Sequence, residues 1–190
     1  MQPSNVIYTQ LLNYKAPRFE EFPEIDLYMD QMVELLNTWL APLYFDQSKP
    51  CLTASMINNY VKNSIVEPPV KKRYTRYHLA YLYVVMVLKQ CFSLQEISTL
   101  ITIYRTVQTS NRTAGHFNTF ASVFENMLHQ VMKTSEVNFS NIEDPNWQQH
   151  LMINSLQAVC CKIFSVYQIH VFLEAKEPAK SSVKKTASNQ

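Results

Sequence analysis

Glycine is nearly missing: the 190 residues contain one, Gly115. Phosphate-cradling loops, dinucleotide-binding turns and tight hairpins draw on glycine for positive φ or close backbone approach. Its scarcity argues against mononucleotide and dinucleotide folds. Cysteine is sparse too, and Cys51, Cys91, Cys160 and Cys161 show neither C-x-x-C spacing nor a histidine at metal-ligand distance. They read as reduced packing thiols, with no metal and no cofactor expected. Adjacent residues on a helix diverge by about a third of a turn, so Cys160 and Cys161 are poorly placed to chelate together. No cationic, apolar leader opens the chain, because Met1 to Lys15 is polar and Pro17 follows; a cytoplasmic protein is expected. The most apolar stretch, Leu151 to Leu173, is interrupted by Asn154, Gln157, Lys162, Gln168 and His170. That pattern suits a buried helix better than a bilayer span.

A catalytic constellation is also lacking. Glu20 with Glu21 and Glu143 with Asp144 are sequence neighbours rather than facing carboxylates, and no Ser or Cys sits in a nucleophile turn. His116, His129 and His150 could converge in space, but histidines scattered over helices are more often packing or surface residues. The expectation is a protein that is not an enzyme.

What is present is a core-forming composition, 47% apolar and 12% aromatic. Nine prolines punctuate stretches rich in Leu, Met, Gln, Glu, Lys and Asn, which predicts a mainly α fold. The net charge of +2 conceals four blocks. Counting Lys plus Arg against Asp plus Glu, residues 1–48 carry 2 and 7, or −5, and residues 49–112 carry 9 and 2, or +7. Residues 113–175 carry 2 and 5, or −3, and residues 176–190 carry 4 and 1, or +3. A basic middle block implies an anionic partner, most often nucleic acid. The competing reading is a solvated basic face balanced by the acidic N-terminal helix of the same chain.

Local signals divide the chain into an N-terminal arm (1–22), a first helical domain (23–110), a C-terminal helical region (111–175) and a disordered basic tail (176–190). The arm is expected to be extended, packing through Ile7, Tyr8, Leu11 and Leu12. Pro23 opens a helix to about Leu40, with Ile25, Tyr28, Met29, Met32, Leu35, Leu36 and Trp39 on one face. Thr53 or Ser55 caps a short helix through Asn63, which turns Met56, Ile57 and Tyr60 inward and leaves Ser55, Asn58, Asn59 and Lys62 outward. Amides can bond base edges and lysine can meet phosphate. Pro68 and Pro69 then prevent helix, and Lys71, Lys72, Arg73 and Tyr74 read as an extended wing or hairpin. Three adjacent cations repel one another, a cost that a phosphate backbone would relieve.

Thr75 starts a helix to about Cys91, with His78 as a packing or capping residue. Ser93 and Glu96 form a capping box for the next helix, with Leu94, Ile97, Leu100, Ile101 and Tyr104 on its apolar face. Two longer helices follow, at about 113–133 and 145–174. Their stripes run through Phe117, Phe120, Val123, Phe124, Leu128 and Val131, and from Leu151 through Met152, Leu156, Val159, Cys160, Ile163, Val166 and Tyr167 to Phe172. They either complete a monomeric core or form a homodimer interface; periodicity fits both.

The order of elements over 52–103 resembles the winged helix-turn-helix of the mercury-resistance-regulator (MerR) family. The family's T-I-R-Y-Y-E-R recognition pattern, followed by an apolar pair and proline, is similar to the MINNYVK run at 56–62 followed by Ile65, Val66 and Pro68. Its R-x-Y-[ST] wing and G-F-S-L-E-E-I helix start resemble Arg73-Tyr74-Thr75 and Cys91-Phe92-Ser93-Leu94-Gln95-Glu96-Ile97. The wing glycine is lacking, and asparagines stand where the family has Arg and Tyr. The chain looks closer still to an uncharacterised bacterial family of MerR-like domains of unknown function, through DLYMDQ at 26–31, MINNYVK, PPVKKRYT at 68–75 and HLAYL at 78–82.

The resemblance implies a MerR-like winged helix-turn-helix and a DNA-binding transcriptional regulator acting on double-stranded DNA. Ser55, Asn58, Asn59 and Lys62 would face the groove or phosphates. Lys71, Lys72, Arg73 and Tyr74 would form the wing, and Arg76 would reach a phosphate. The alternative from a different class is a helical adaptor whose winged domain binds an acidic protein partner.

Overall fold

A computed structural model describes residues 4–45, 48–106, 113–137 and 144–186. Seven α-helices and two single 3₁₀ turns make up the regular structure of these residues. The helices are α1 (Ser4–Leu12), α2 (Met29–Leu40), α3 (Ala54–Lys62), α4 (Arg76–Leu88), α5 (Leu94–Thr106), α6 (Thr113–Thr134) and α7 (Trp147–Thr186).

The capping chemistry read from the sequence sets three of the starts. The Thr53 side chain accepts the Met56 N–H at 3.3 Å, opening α3. The Thr75 N–H donates to His78 Nδ1 at 3.0 Å, so His78 caps α4. The Ser93 N–H donates to the Glu96 carboxylate at 2.7 Å while the Glu96 N–H donates back to Ser93 Oγ at 3.3 Å, closing the box before α5. The Ser93 N–H and the Ser93 hydroxyl, which donates at 2.8 Å, both bond the ionised form and hold the Glu96 carboxyl below the usual carboxylate range.

Two N-terminal expectations are corrected. The arm begins as a helix, α1, with Ile7 and Leu11 buried, and its following residues are pinned to α6. Glu125 accepts the Ala16 N–H at 3.0 Å and pairs with Arg18 at 3.2 Å. Asn118 accepts the Phe19 N–H at 2.8 Å, and His129 Nε2 lies 2.7 Å from the Tyr14 carbonyl oxygen. The second helix starts at Met29 rather than at Pro23. Leu27 exchanges both backbone hydrogen bonds with Tyr74, each 2.9 Å, so the stretch before α2 is extended. Ile25 and Tyr28 are consequently 75% and 52% exposed, while Met32, Leu36 and Leu40 carry the buried face.

All six residues of the expected α6 stripe are buried, as are Met152, Leu156, Val159, Cys160 and Ile163 of α7. α6 packs against both α7 and α1, and α4 against α2 and α7. One continuous core therefore runs from Ile7 to Ile163. Burial of apolar surface on this scale is the main stabilising term, at about 25 cal/mol per Å² removed from water. Within it, Tyr14 and Tyr83 share a hydroxyl hydrogen bond of 2.7 Å, and burial pushes both phenols far above their ordinary pKa. The Tyr104 side chain lies outside the described residues.

α7 extends past the expected boundary near Glu174 to Thr186, so the start of the basic tail is helical even though the helix runs through Pro178. From Trp147 to Lys176 it is long and apolar enough to cross a membrane by length and composition alone, yet its first half packs in the shared core. Beyond Ile163 it meets the N-terminal part of the chain, Tyr167 packing on Tyr8, His170 on Phe45, and Glu174 accepting the Ser4 N–H at 2.9 Å, while Phe172, expected on the buried stripe, is 58% exposed.

Candidate nucleic-acid interface

α3 is held by both of its ends. Before it, Asn37 of α2 clasps Leu52, donating to its carbonyl at 2.9 Å and accepting its N–H at 2.8 Å. After it, the Ile65 N–H donates to the Tyr60 carbonyl (2.9 Å) and the Ser64 N–H to that of Val61 (3.0 Å). This is a Schellman closure, which calls for a left-handed residue, and Ser64 fills the position at φ 56°.

Ile57 and Tyr60 are buried, and burial raises the Tyr60 phenol to about 12. Ser55, Asn58, Asn59 and Lys62 are all exposed, as their spacing predicts. The two asparagines differ. Asn63 Nδ2 donates to Asn59 Oδ1 at 3.0 Å and to the Asn59 carbonyl at 2.7 Å, which ties Asn59 to its own helix. Asn58 shows no side-chain hydrogen bond among the described residues, so its full set of amide donors and acceptors faces outward.

The segment expected as a wing is a minimal hairpin. Val70 and Arg73 pair across Lys71 and Lys72, with the Arg73 N–H donating to the Val70 carbonyl at 2.9 Å. Lys71 has φ 50° and Lys72 has φ 60°. Positive φ at both central residues defines a type I′ turn, a position normally held by Asn-Gly. The expected wing or hairpin is thus a tight hairpin built without glycine. Left-handed backbone costs a non-glycine residue about 1–2 kcal/mol. Both lysines are exposed, and neither they nor Lys62 form a salt bridge among the described residues.

The remaining predicted wing residues point elsewhere. Arg73 stacks its guanidinium 3.6 Å from the Tyr28 ring centroid and donates to the Asp26 carbonyl at 3.3 Å. Tyr74 is 3% exposed, with its ring edge-on to His78. It anchors the hairpin in the core and is withdrawn from any ligand on the surface. Arg76 pairs with Glu24 at 3.1 Å and lies 5.5 Å from the Phe19 ring centroid. The acidic N-terminal segment therefore neutralises part of the basic block, leaving Lys62, Lys71 and Lys72 as its outward charge here.

Sequence reasoning missed Tyr28 and Asp26 as the supports of Arg73. No group of three or more His, Cys, Asp or Glu side chains among the described residues is placed to hold a metal ion. The thiols are free; burial raises Cys51, Cys91 and Cys160 above the ordinary thiol pKa.

No curated protein and no solved structure matches the chain. A family model described as a domain of unknown function (DUF1836) matches residues 17–127, which take in α2 to α5, the wing and most of α6. With more than half of its length matched, the chain belongs to that family.

Proposed function

We propose that the chain is a DNA-binding regulator in which residues 27–106 act as a MerR-like winged helix-turn-helix. In this reading α3 enters the major groove, Asn58 reads a base edge, and Lys62 meets a phosphate at the groove wall. Lys71 and Lys72 contact the flanking backbone, with Arg73 bracing the wing against Tyr28. The reading rests most on one observation. Two exposed lysines occupy strained left-handed positions at the hairpin tip, where asparagine and glycine would fold more easily. Strain retained at an exposed, charged tip suits a binding role better than a structural one.

The test is fluorescence anisotropy of the protein against a mixed-sequence duplex at several salt concentrations, with Lys71→Ala/Lys72→Ala alongside. Each phosphate contact contributes about 0.9 to the log–log salt slope, so the double variant should bind more weakly and flatten the slope by about 1.8. Parental binding by the variant would refute the wing assignment. Arg73 is left intact because its stacking on Tyr28 supports the hairpin.

A second reading, an adaptor that docks a protein, is favoured by Ile25, Tyr28 and Val70, large apolar side chains left exposed beside the wing. Duplex binding that is absent even at low salt would favour it. Homodimerisation is proposed for the exposed apolar stretch Ile169–Leu173 of α7, where Ile169, Phe172 and Leu173 are at least 45% exposed. Light scattering of the parent against Phe172→Glu tests it: a dimer lost in the variant supports it, and a monomeric parent removes it.

A further inference from the structure

Away from the wing, a pocket of about 220 Å³ opens between α4, α5, α6 and the start of α7. Its body is apolar, walled by Ala80, Val84 and Leu88 of α4, Ile101 of α5, Phe117 of α6 and Met152 of α7. Among the described residues, no Asp, Glu, Lys or Arg lines it. The pocket is half open to the surface rather than sealed in the core. An apolar cavity of about 150 Å³ already admits benzene, so this one has room for a ring carrying a small substituent.

The polar lining is one-sided. Thr113 and His116 come from the first turns of α6, and Asn146 and Gln149 from the start of α7, so two helix N-termini meet the pocket. Neither helix carries an acidic residue in its first turn. Asp144 precedes α7 but does not line the cavity. Asn146 Oδ1 accepts the Gln149 N–H at 2.9 Å, and Gln149 Oε1 accepts the Asn146 N–H at 2.9 Å. Both carboxamide oxygens are thereby committed to capping, and what each side chain retains is its NH₂ donor pair. His116 Nδ1 is buried with no hydrogen-bond partner among the described residues, an uncommon state for a buried ring nitrogen. Positive helix ends, amide donors and an unpartnered imidazole nitrogen together favour a negative acceptor group.

We infer that this pocket binds a small amphiphilic anion, an apolar body of one ring or a short chain ending in a carboxylate. The apolar body fills the space between Val84, Ile101 and Met152, and the carboxylate lies toward His116, Asn146 and Gln149. The site stands apart from the duplex reading, and its failure would leave that reading intact. It shares α4 with the wing domain, so occupancy can reach the hairpin through the helix that directly follows it.

The experiment uses the full chain with methyl-labelled methionine, titrated with sodium benzoate, sodium hexanoate and, as the uncharged counterpart, benzamide. Probes at about 10 mM exceed the millimolar Kd that about nine heavy atoms reach at modest efficiency. Benzoate or hexanoate should shift the Met152 methyl signal, leave Met29 and Met32 of α2 in place, and raise the melting temperature. Benzamide should bind at least ten-fold more weakly. Val84→Phe, which fills the cavity, should abolish the Met152 shift, and His116→Phe should reduce the preference for benzoate over benzamide. An unmoved Met152 signal with both anions overturns the site. Equal binding of benzamide and benzoate overturns its anionic character. A Val84→Phe protein that still shows the Met152 shift overturns the placement.

Discussion

Replacing Lys72 with glycine should make the protein more stable and a weaker DNA binder at once. Lys72 sits at φ 60° in the second central position of the type I′ turn, where glycine is the favoured residue. Relief of about 1–2 kcal/mol of left-handed strain is partly offset by the extra unfolded-state entropy of glycine, roughly 0.5–1 kcal/mol. The difference spans about 0–1.5 kcal/mol and is about 0.75 kcal/mol at the midpoints, which for a chain of this length raises Tm by roughly 2–3 °C. The exposed ammonium is lost in the same step. One phosphate contact fewer lowers the salt slope by about 0.9, equivalent to about eight-fold weaker binding at 0.1 M salt. Circular dichroism melts and anisotropy titrations on the same preparation read both effects. An unchanged or lower Tm would refute the strain argument, and a higher Tm with undiminished duplex affinity would refute the phosphate role of Lys72.

The same backbone logic predicts that Ser64→Gly, at φ 56° in the α3 closure, is stabilising, and that Gly115→Ala is too, by up to about 1 kcal/mol. Gly115 lies in right-handed helix and a Cβ there meets nothing within 4 Å, so a loss of stability in thermal melts would contradict this account. Tyr83→Phe leaves the buried Tyr14 hydroxyl without its 2.7 Å partner and should cost about 1–3 kcal/mol, with Tyr14→Phe/Tyr83→Phe recovering part of it. A double variant less stable than the single would count against that pairing. Acid should destabilise the fold partly through Glu96, whose carboxyl is held down by the Ser93 backbone and hydroxyl hydrogen bonds. A depressed folded-state pKa gives stability that is present above the ordinary carboxyl value of 4.5 and lost as pH falls through the folded value. Urea denaturation at neutral and acid pH should therefore show a shallower pH dependence in Glu96→Gln, and an unchanged one would argue against the cap.

The helices between Thr53 and Lys133 were legible because their signals are local. Thr53, Thr75 and the Ser93–Glu96 box mark starts within three residues of the bonds they make, and the α6 stripe repeats at the helical period. The N-terminal part was not, because its structure comes from distant partners. Pro23 and the residues after it suit a helix start, but Leu27 instead pairs with Tyr74, and Tyr14 to Phe19 are held by Asn118, Glu125 and His129 of α6. The exposed face of α3 followed from periodicity alone. The division of labour in the wing did not: four consecutive residues, Lys71 to Tyr74, have side chains with three different fates. Two lysines stand in solvent at the turn, Arg73 lies on Tyr28, and Tyr74 enters the core. The wing-or-hairpin expectation at 71–74 followed from the prolines and cations, but not the left-handed backbone of Lys71 and Lys72, which a chain with a single glycine reaches with lysines at positive φ.

The most direct test of the central claim is the salt-dependent anisotropy of the intact chain on a mixed-sequence duplex, paired with Lys71→Ala/Lys72→Ala. The account predicts parental binding that falls steeply with salt, and a variant with unchanged helicity whose slope is shallower by about 1.8. A folded parent that leaves the duplex unbound at low salt, or a variant that matches it at every salt concentration, would contradict the account.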